Sequence, residues 1–276
     1  MKFCAIVVTY NPDKELLCKN IDAFYSYADK IVIWRNSNEP FQKFDDPQMK
    51  VTYMGSGRND GISYAVNQVL ELCANEDYQW LLTMDQDSVF PDFQNYLQLV
   101  ESNVSDLSVA EFAPEVNSQT LHAGAFEDKD YVITSGAFLR VDAIRSMGGL
   151  RSDFFLDGID IDLGYKIRSN GYKVRCLGGA LLQQRFGEVF ESHNHKAVSY
   201  PPNRICNIIC NYWTIIADYF PVSRPLIWEV VKIWDILTPA SVLVYQDKKI
   251  ERLLAIAKGN IYGMKYIFKS LVSPNK

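Results

Sequence analysis

The feature that most constrains this chain is the alternation, over its first 85 residues, of short apolar runs with segments whose apolar residues recur at helical spacing. Phe3 to Val8 is a run of the first kind, and Lys14 to Tyr27 is of the second, with Leu16, Leu17, Ile21 and Phe24 on one helical stripe. Ile31 to Trp34 and Val51 to Met54 follow as apolar runs. Ile62 to Cys73 then reads as a helix through Ile62, Ala65, Val66, Val69 and Leu70, and Trp80 to Met84 as another strand. Strands that are apolar on both faces and separated by helices predict an α/β fold with a mostly parallel sheet flanked by helices. Ligands of such sheets bind beyond the carboxyl ends of the strands. The residues to read for chemistry are therefore those just after each run: Thr9-Tyr10-Asn11, Arg35-Asn36, Gly55-Ser56-Gly57 and Asp85-Gln86-Asp87.

Beyond Phe93 the alternation loosens. Val109 to Ala113, Tyr131 to Leu139 and Lys173 to Cys176 read as strands, and Asp142 to Met147 and Asp160 to Ser169 as helices. After Tyr200-Pro201-Pro202 the composition shifts to aromatic-rich helical stretches. These carry Trp213, Tyr219, Trp228 and Trp234, with Lys232, Lys248, Lys249 and Arg252 nearby. A boundary near 200 divides an α/β domain, 1–200, from a helical C-terminal region, 201–276.

Composition narrows the function. With 48% hydrophobic and 22% charged residues over 276 positions, the chain can bury a large core without disulfides or a structural metal. Its net charge of -5 supplies no basic field for a nucleic-acid backbone. The six cysteines are scattered with no C-x-x-C pair, as expected of reduced thiols in a cytoplasmic protein. The N-terminal apolar run is too short for a secretory signal. Ile205 to Ala217 and Ile236 to Gln246, the longest uncharged stretches, fall below the roughly 20 residues needed to span a bilayer. A peripheral contact with the inner face of the plasma membrane is compatible with this pattern.

Two acidic clusters can carry chemistry. Asp85 and Asp87 close the fourth apolar run at i and i+2, which directs both carboxylates to the same side of a strand end. A hard divalent cation accepts such oxygens and keeps positions open for phosphates, whereas a solvated turn would account for the same residue types. Calcium binding of the EF-hand kind is excluded, because the sixth and twelfth positions are Phe90 and Tyr96. The second cluster, Asp157, Asp160 and Asp162, opens a helix. Asp160 at the N-cap and Asp162 in the first turn is the structural reading, and an active-site base is the functional one. Gly55-Ser56-Gly57-Arg58-Asn59-Asp60-Gly61 is one residue off the dinucleotide fingerprint and follows the wrong strand, so a dehydrogenase is rejected. His193 and His195 fit a polar loop better than a metal site, and Arg204 and Asn211 share a helical face without a defined role.

In order along the chain, Val7-Val8-Thr9-Tyr10-Asn11-Pro12, Asn59-Asp60-Gly61-Ile62-Ser63-Tyr64-Ala65-Val66-Asn67, Leu82-Thr83-Met84-Asp85-Gln86-Asp87-Ser88, Thr134-Ser135-Gly136, Phe155-Leu156-Asp157-Gly158-Ile159-Asp160-Ile161-Asp162-Leu163 and Asn170-Gly171-Tyr172 accumulate into one pattern. It resembles the inverting family 2 glycosyltransferases of GT-A fold, and within them the rhamnosyltransferase-like enzymes of bacterial surface polysaccharide synthesis. The resemblance implies that Thr9, Tyr10, Asn11, Asn36, Asn59, Gly61, Asn67, Asp85 and Gln86 border a nucleoside-diphosphate sugar of UDP or dTDP type. It implies that Asp85, Asp87 and Gln184 hold Mg or Mn, that Asp160 is the general base, and that Asp157 and Asp162 orient the base or a glycan or lipid-linked acceptor. Two positions depart from the family pattern: Arg35 stands where an acid usually reads the pyrimidine edge, and Gln184 where a histidine usually ligates the metal. These departures keep a rival open, a catalytically silent homologue that binds a nucleotide sugar or a partner enzyme. A sugar-phosphate nucleotidyltransferase is disfavoured, because no Gly-rich basic loop follows the first strand.

Overall fold

The computed structural model describes residues 1–38, 44–185, 188–192, 195–220, 227 and 246–272. They form two compact units, Met1–Arg185 and Phe186–Lys276. The division precedes, rather than follows, the hairpin of β9 (Glu188–Ser192) and β10 (His195–Ser199), which pair only with each other.

The first unit is built on β1 (Phe3–Thr9), β2 (Lys30–Arg35), β3 (Val51–Met54), β4 (Trp80–Asp85), β5 (Val109–Val116), β6 (Phe126–Lys129), β7 (Ala137–Arg140) and β8 (Lys173–Leu182). They make one eight-stranded sheet in the order β3-β2-β1-β4-β7-β5-β8-β6. The helices are α1 (Lys14–Tyr25), α2 (Ile62–Asn75), α3 (Phe93–Glu101), α4 (Val141–Ser146) and α5 (Ile159–Ser169). The β3-β2-β1-β4 half is parallel, as the alternation of runs and helices predicts. In the other half β7 lies antiparallel to both β4 and β5, and β6 is an antiparallel edge on β8.

β1 and β4 are buried along almost their whole length. On one face Phe3, Phe24, Phe90, Phe93, Tyr96 and Phe138 pack ring against ring, for example Phe3 on Phe138 edge to face at 5.1 Å. Such pairs add about 0.5–1.5 kcal/mol beyond the area they bury.

Two elements differ from expectation. The stretch Tyr131 to Leu139 is not one strand: Gly136 takes φ 79°, which turns the chain at Thr134-Ser135-Gly136, and only Ala137–Arg140 pairs. Its amide donates to the Thr83 carbonyl at 2.7 Å, so this turn is tied to β4. Asp160 is not the N-cap of α5. Gly158, at φ 82°, holds that place, and Asp160 lies in the first turn.

In the second unit, α6 (Pro202–Tyr219) lies along α7 (Lys249–Val272). Gly263 allows the approach, since a Cβ there would lie 2.5 Å from the Trp213 side chain. The Trp213 indole N–H donates to Asn260 Oδ1 at 3.0 Å, so this tryptophan is spent on helix pairing and is not available to a membrane. Trp228, Lys232, Trp234 and His193 lie outside the described residues.

Tyr96 is the clearest test of how the core holds the site in place. Its hydroxyl is fully buried and lies 3.0 Å from the Phe112 carbonyl and 2.8 Å from that of Gly136, joining α3 to β5 and to the turn before β7. Tyr96→Phe leaves two buried carbonyls short of a donor and should cost about 1–2 kcal/mol of stability in urea unfolding. An unchanged midpoint would show the bond to be worth nothing.

Candidate functional site

Parallel pairing sets the geometry of the strand exits. Val8 is in register with Asp85, and Thr9 with Arg35, so the residues after β1, β2 and β4 reach one edge of the sheet together. The Thr9 hydroxyl is buried and donates to the Trp34 carbonyl at 3.0 Å, while the Thr9 carbonyl accepts from the Asn36 amide at 2.9 Å. Tyr10 is exposed, and Asn11 takes φ 45° with its amide donating to Ser37 Oγ at 3.0 Å. Gln86 crosses from β4 to β1: its side-chain oxygen accepts from the Tyr10 amide at 2.7 Å and its Nε2 donates to the Tyr10 carbonyl at 3.0 Å. Gln86 therefore shapes the floor under the expected nucleotide, leaving Tyr10 as the exposed surface.

The loop after β4 is fastened from three sides. Asn20, on α1 and fully buried, donates to the carbonyls of Asp85, at 2.9 Å, and Ser88. Ser135 Oγ accepts from the Asp85 amide at 3.1 Å and donates to Ser88 Oγ at 2.8 Å. From the end of β8, Gln184 Nε2 donates to Asp85 Oδ2 at 2.8 Å, which brings the expected ligands Asp85 and Gln184 together. The Gln184 amide oxygen is buried and has no hydrogen-bond partner among the described residues. Asp85 is pushed up to about 6, by burial first and then by the charges of Asp87 and Asp160, with the Gln184 bond opposing. Asp87 is raised by burial, with Arg185 pulling the other way. The carboxylates at 85, 87 and 160 thus share one electrostatic environment.

Asp160 reaches this place because its loop docks on the start of α2. The Ile62 amide donates to the Phe155 carbonyl at 3.2 Å, and Gly61, at φ 86°, leaves room for it: a Cβ there would lie 2.8 Å from that oxygen. Asn36, buried, receives the Trp34 indole N–H at 3.1 Å, and Asn59 Oδ1 accepts from the Gly61 amide at 3.3 Å. Both are spent on shaping this turn. Burial pushes Asp160 up to about 6, with Asp157 adding to the rise. Phe155 and Leu156 stand exposed on the rim.

Two expected residues have other engagements. Asn67 exchanges both hydrogen bonds with the backbone of Leu150, each at 2.8 Å, and so braces α2 against the chain leading to the acidic loop instead of bordering a nucleotide. Asp162 is 1% exposed and pairs with Arg151 Nη1 at 3.0 Å, which ties it to the loop. Among the described residues, no three His, Cys, Asp or Glu side chains gather into a ready metal cage. A cavity of about 780 Å³ opens at the opposite end of β4, around Trp80, Arg140 and Arg145. It contains none of these carboxylates, and Arg145 there is already paired with Glu71.

The sequence reading missed Asn20, the contacts of Ser135, and Glu111. Glu111 lies on β5, 1% exposed, and neither of its carboxyl oxygens has a hydrogen-bond partner among the described residues. Burial, with the charge of Asp160 added, pushes it well above the ordinary carboxylate range. Its signal was present: an acid in the middle of the apolar run Val109 to Ala113.

No sequence-family model and no curated protein matches the chain. Solved structures do. GalNAc-T7 with UDP, GalNAc and Mn2+ superposes with a TM-score of 0.57 at 13% identity, covering 99% of this chain and 57% of that one. S. aureus TarS gives 0.53 at 10%, covering 96% and 44%. TarS 1-349 in complex with UDP-GlcNAc gives 0.51 at 12%, covering 100% and 93%. The fold is of the GT-A type. The chain spans about half the length of GalNAc-T7 and of the longer TarS chain, and at these identities the likeness concerns the fold alone.

The raised Asp160 yields a stability test. Its proton is bound more tightly folded than unfolded, so its contribution is complete below its ordinary pKa and is lost as pH rises from about 3.8 to about 6. At pH 7.5, with chelator present, Asp160→Asn should therefore melt higher than the wild type, by about 1 kcal/mol. Near pH 3.5 the two should coincide. A variant less stable than the wild type at pH 7.5 would show that the carboxylate is not held against its preference.

Proposed function

We propose that the chain is a glycosyltransferase that moves a sugar from a nucleoside-diphosphate donor to an acceptor hydroxyl, inverting the anomeric centre. The observation that carries this reading is the convergence of Asp85, Gln184 and Asp160 beyond the strand ends, in a fold whose solved neighbours include structures with UDP, UDP-GlcNAc and Mn2+.

Tyr10 and Asn11, with the backbone of Thr9 and Asn36, border the nucleotide, and Asn59 and Gly61 close its side. The donor set fits a hard divalent cation, Mg or Mn: carboxylates at Asp85 and Asp87 and the unpartnered amide oxygen of Gln184. Such a cation, when bound, neutralises the charge that develops on the departing diphosphate. Without it Asp85 and Asp160 favour the proton, which accords with a site completed by donor and metal together.

Asp160 is the general base. Ionised above about pH 6, it takes the proton of the acceptor hydroxyl as that oxygen attacks, and the first-turn position on α5 keeps the carboxylate in place. Asp157 lies beside it on the acceptor side. Arg35 in place of an acid leaves base selection to other contacts, so UDP and dTDP donors both stay in scope, rhamnosyl donors among them. The acceptor is a glycan or lipid-linked carrier of bacterial surface polysaccharide, an O-antigen or capsule, at the cytoplasmic face of the plasma membrane. Arg35 also favours the second reading, a silent nucleotide-sugar binder, and the same experiment separates the two.

A thermal-shift screen of UDP and dTDP sugars should raise the melting temperature only when Mn2+ or Mg2+ is present. With the donor so found, turnover should rise with pH through about 6, and Asp160→Asn should bind the nucleotide normally while losing roughly a factor of 100 to 10,000 in transfer. Binding without turnover in the wild type would favour the silent homologue. Failure of every nucleotide to bind would remove both readings.

A further inference from the structure

Helix α7 has two unlike long faces. The face toward α6 carries Gly259, Gly263 and the buried Arg252 and Ala255. On the other side Ile250, Leu254, Ile261, Met264, Phe268 and Val272 are all exposed, from 46% at Ile261 to 74% at Ile250. At 3.6 residues per turn these six fall within a sector of about 80°, a continuous apolar stripe roughly 36 Å long. Natural surfaces seldom leave such a stripe without use.

What lies beside the stripe indicates what covers it. Lys258, Lys265 and Lys269 follow in a row along one flank, with the exposed Tyr262 beyond them, and Glu251 is the only acid in the helix. None of the three lysines is ion-paired among the described residues. A chain of net charge -5 has thus placed three cations without an ion-pair partner among the described residues next to an exposed apolar face. A second copy docked antiparallel on this face would bring its lysine row to the same side as the first, and a parallel one would leave both rows without acids opposite. The charge calls instead for an anionic partner, and an apolar stripe with flanking lysines fits a plane of acyl chains and acidic headgroups. No described helix is long and apolar enough to cross a membrane, so α7 would lie in the plane of the surface.

We propose that the outer face of α7 is a docking surface for an anionic lipid bilayer, with the apolar stripe entering the headgroup region and the lysine row binding acidic headgroups. This replaces the tryptophan-based contact expected from composition with a defined face. It deepens the reading of a membrane-borne acceptor and depends on that reading only for its biological purpose. Its test uses no donor or acceptor, so the two can fail separately.

The test is flotation of the full chain with phosphatidylcholine vesicles, with and without phosphatidylglycerol. The protein should float with the anionic vesicles and stay behind with the neutral ones, and raising salt from about 50 to about 500 mM should weaken the binding. Two variants separate the contributions, Ile261→Asp with Phe268→Asp, and Lys258→Glu with Lys265→Glu and Lys269→Glu. All these side chains are solvent-exposed, so both variants should keep the wild-type melting temperature and nucleotide binding. The first should abolish flotation, and the second should weaken it by at least fivefold for each lysine replaced. The proposal is overturned if the wild type ignores anionic vesicles, if it floats equally with neutral ones, or if either variant floats like the wild type. It is equally overturned if sedimentation velocity shows the wild type pairing through this face, with the aspartate variant monomeric and neither binding vesicles.

Discussion

The burial of carboxylates beyond the fourth strand, with repulsion between them added, is the constraint that the surrounding structure has to meet. Asp85 and Asp160 are half-buried, and each holds its proton more tightly than a free aspartate does. A cluster of this kind is unfavourable at neutral pH unless the surroundings hold it rigidly and something cationic completes it. The surroundings do hold it. Asn20 grips the loop from α1, Ser135 from the turn before β7, and Gln184 from the end of β8. Three elements distant in sequence thereby converge on one short loop, and each hydrogen bond opposes the relaxation that would let the carboxylates separate.

Glu111 shows how the same physics sorts acids into different roles. It feels Asp160 and has no hydrogen-bond partner among the described residues, so burial and that charge both favour its protonated form. Asp162, two residues from Asp160, is anchored instead by Arg151. Of the acids around this loop, then, one is pushed toward its protonated form by burial, one is paired with an arginine, and Asp85 and Asp160 are raised without an arginine beside them among the described contacts. Environment decides which is which, and a motif written in residue letters cannot.

That distinction marks how far the sequence could be read. The parallel half of the sheet was legible because β1, β2 and β4 are buried on both faces and so appear as unbroken apolar runs. β6, Phe126–Lys129, was not: it is an edge strand in which three of four residues are charged, which blunts an edge but erases the apolar signal. Tyr131 to Leu139 looked continuous because the turn at Gly136 interrupts pairing without interrupting hydrophobicity. Around the strand ends, the nearness of Asp85 and Asp160 was legible from residue type and position. Asn67 and Asp162 were not, because their assignment depended on partners, Leu150 and Arg151, that only the folded chain reveals. Asn20 had no signal at all: a single amide on an otherwise ordinary amphipathic helix gives no hint that it holds a loop 65 positions away.

The two units also differ in what they leave incomplete, and the difference is electrostatic in both cases. Beyond the sheet, acids are concentrated without a matching metal or basic cluster. Along α7, lysines are concentrated without matching acids, beside apolar side chains that nothing described covers. A chain of modest net charge that segregates its charges in this way incurs repulsion in each place. Neither arrangement helps the isolated chain to fold, since replacing any of these charges by a neutral residue would relieve it. Each arrangement suits a partner of opposite sign, which is the ground for proposing a cation with a diphosphate in one case and an acidic surface in the other.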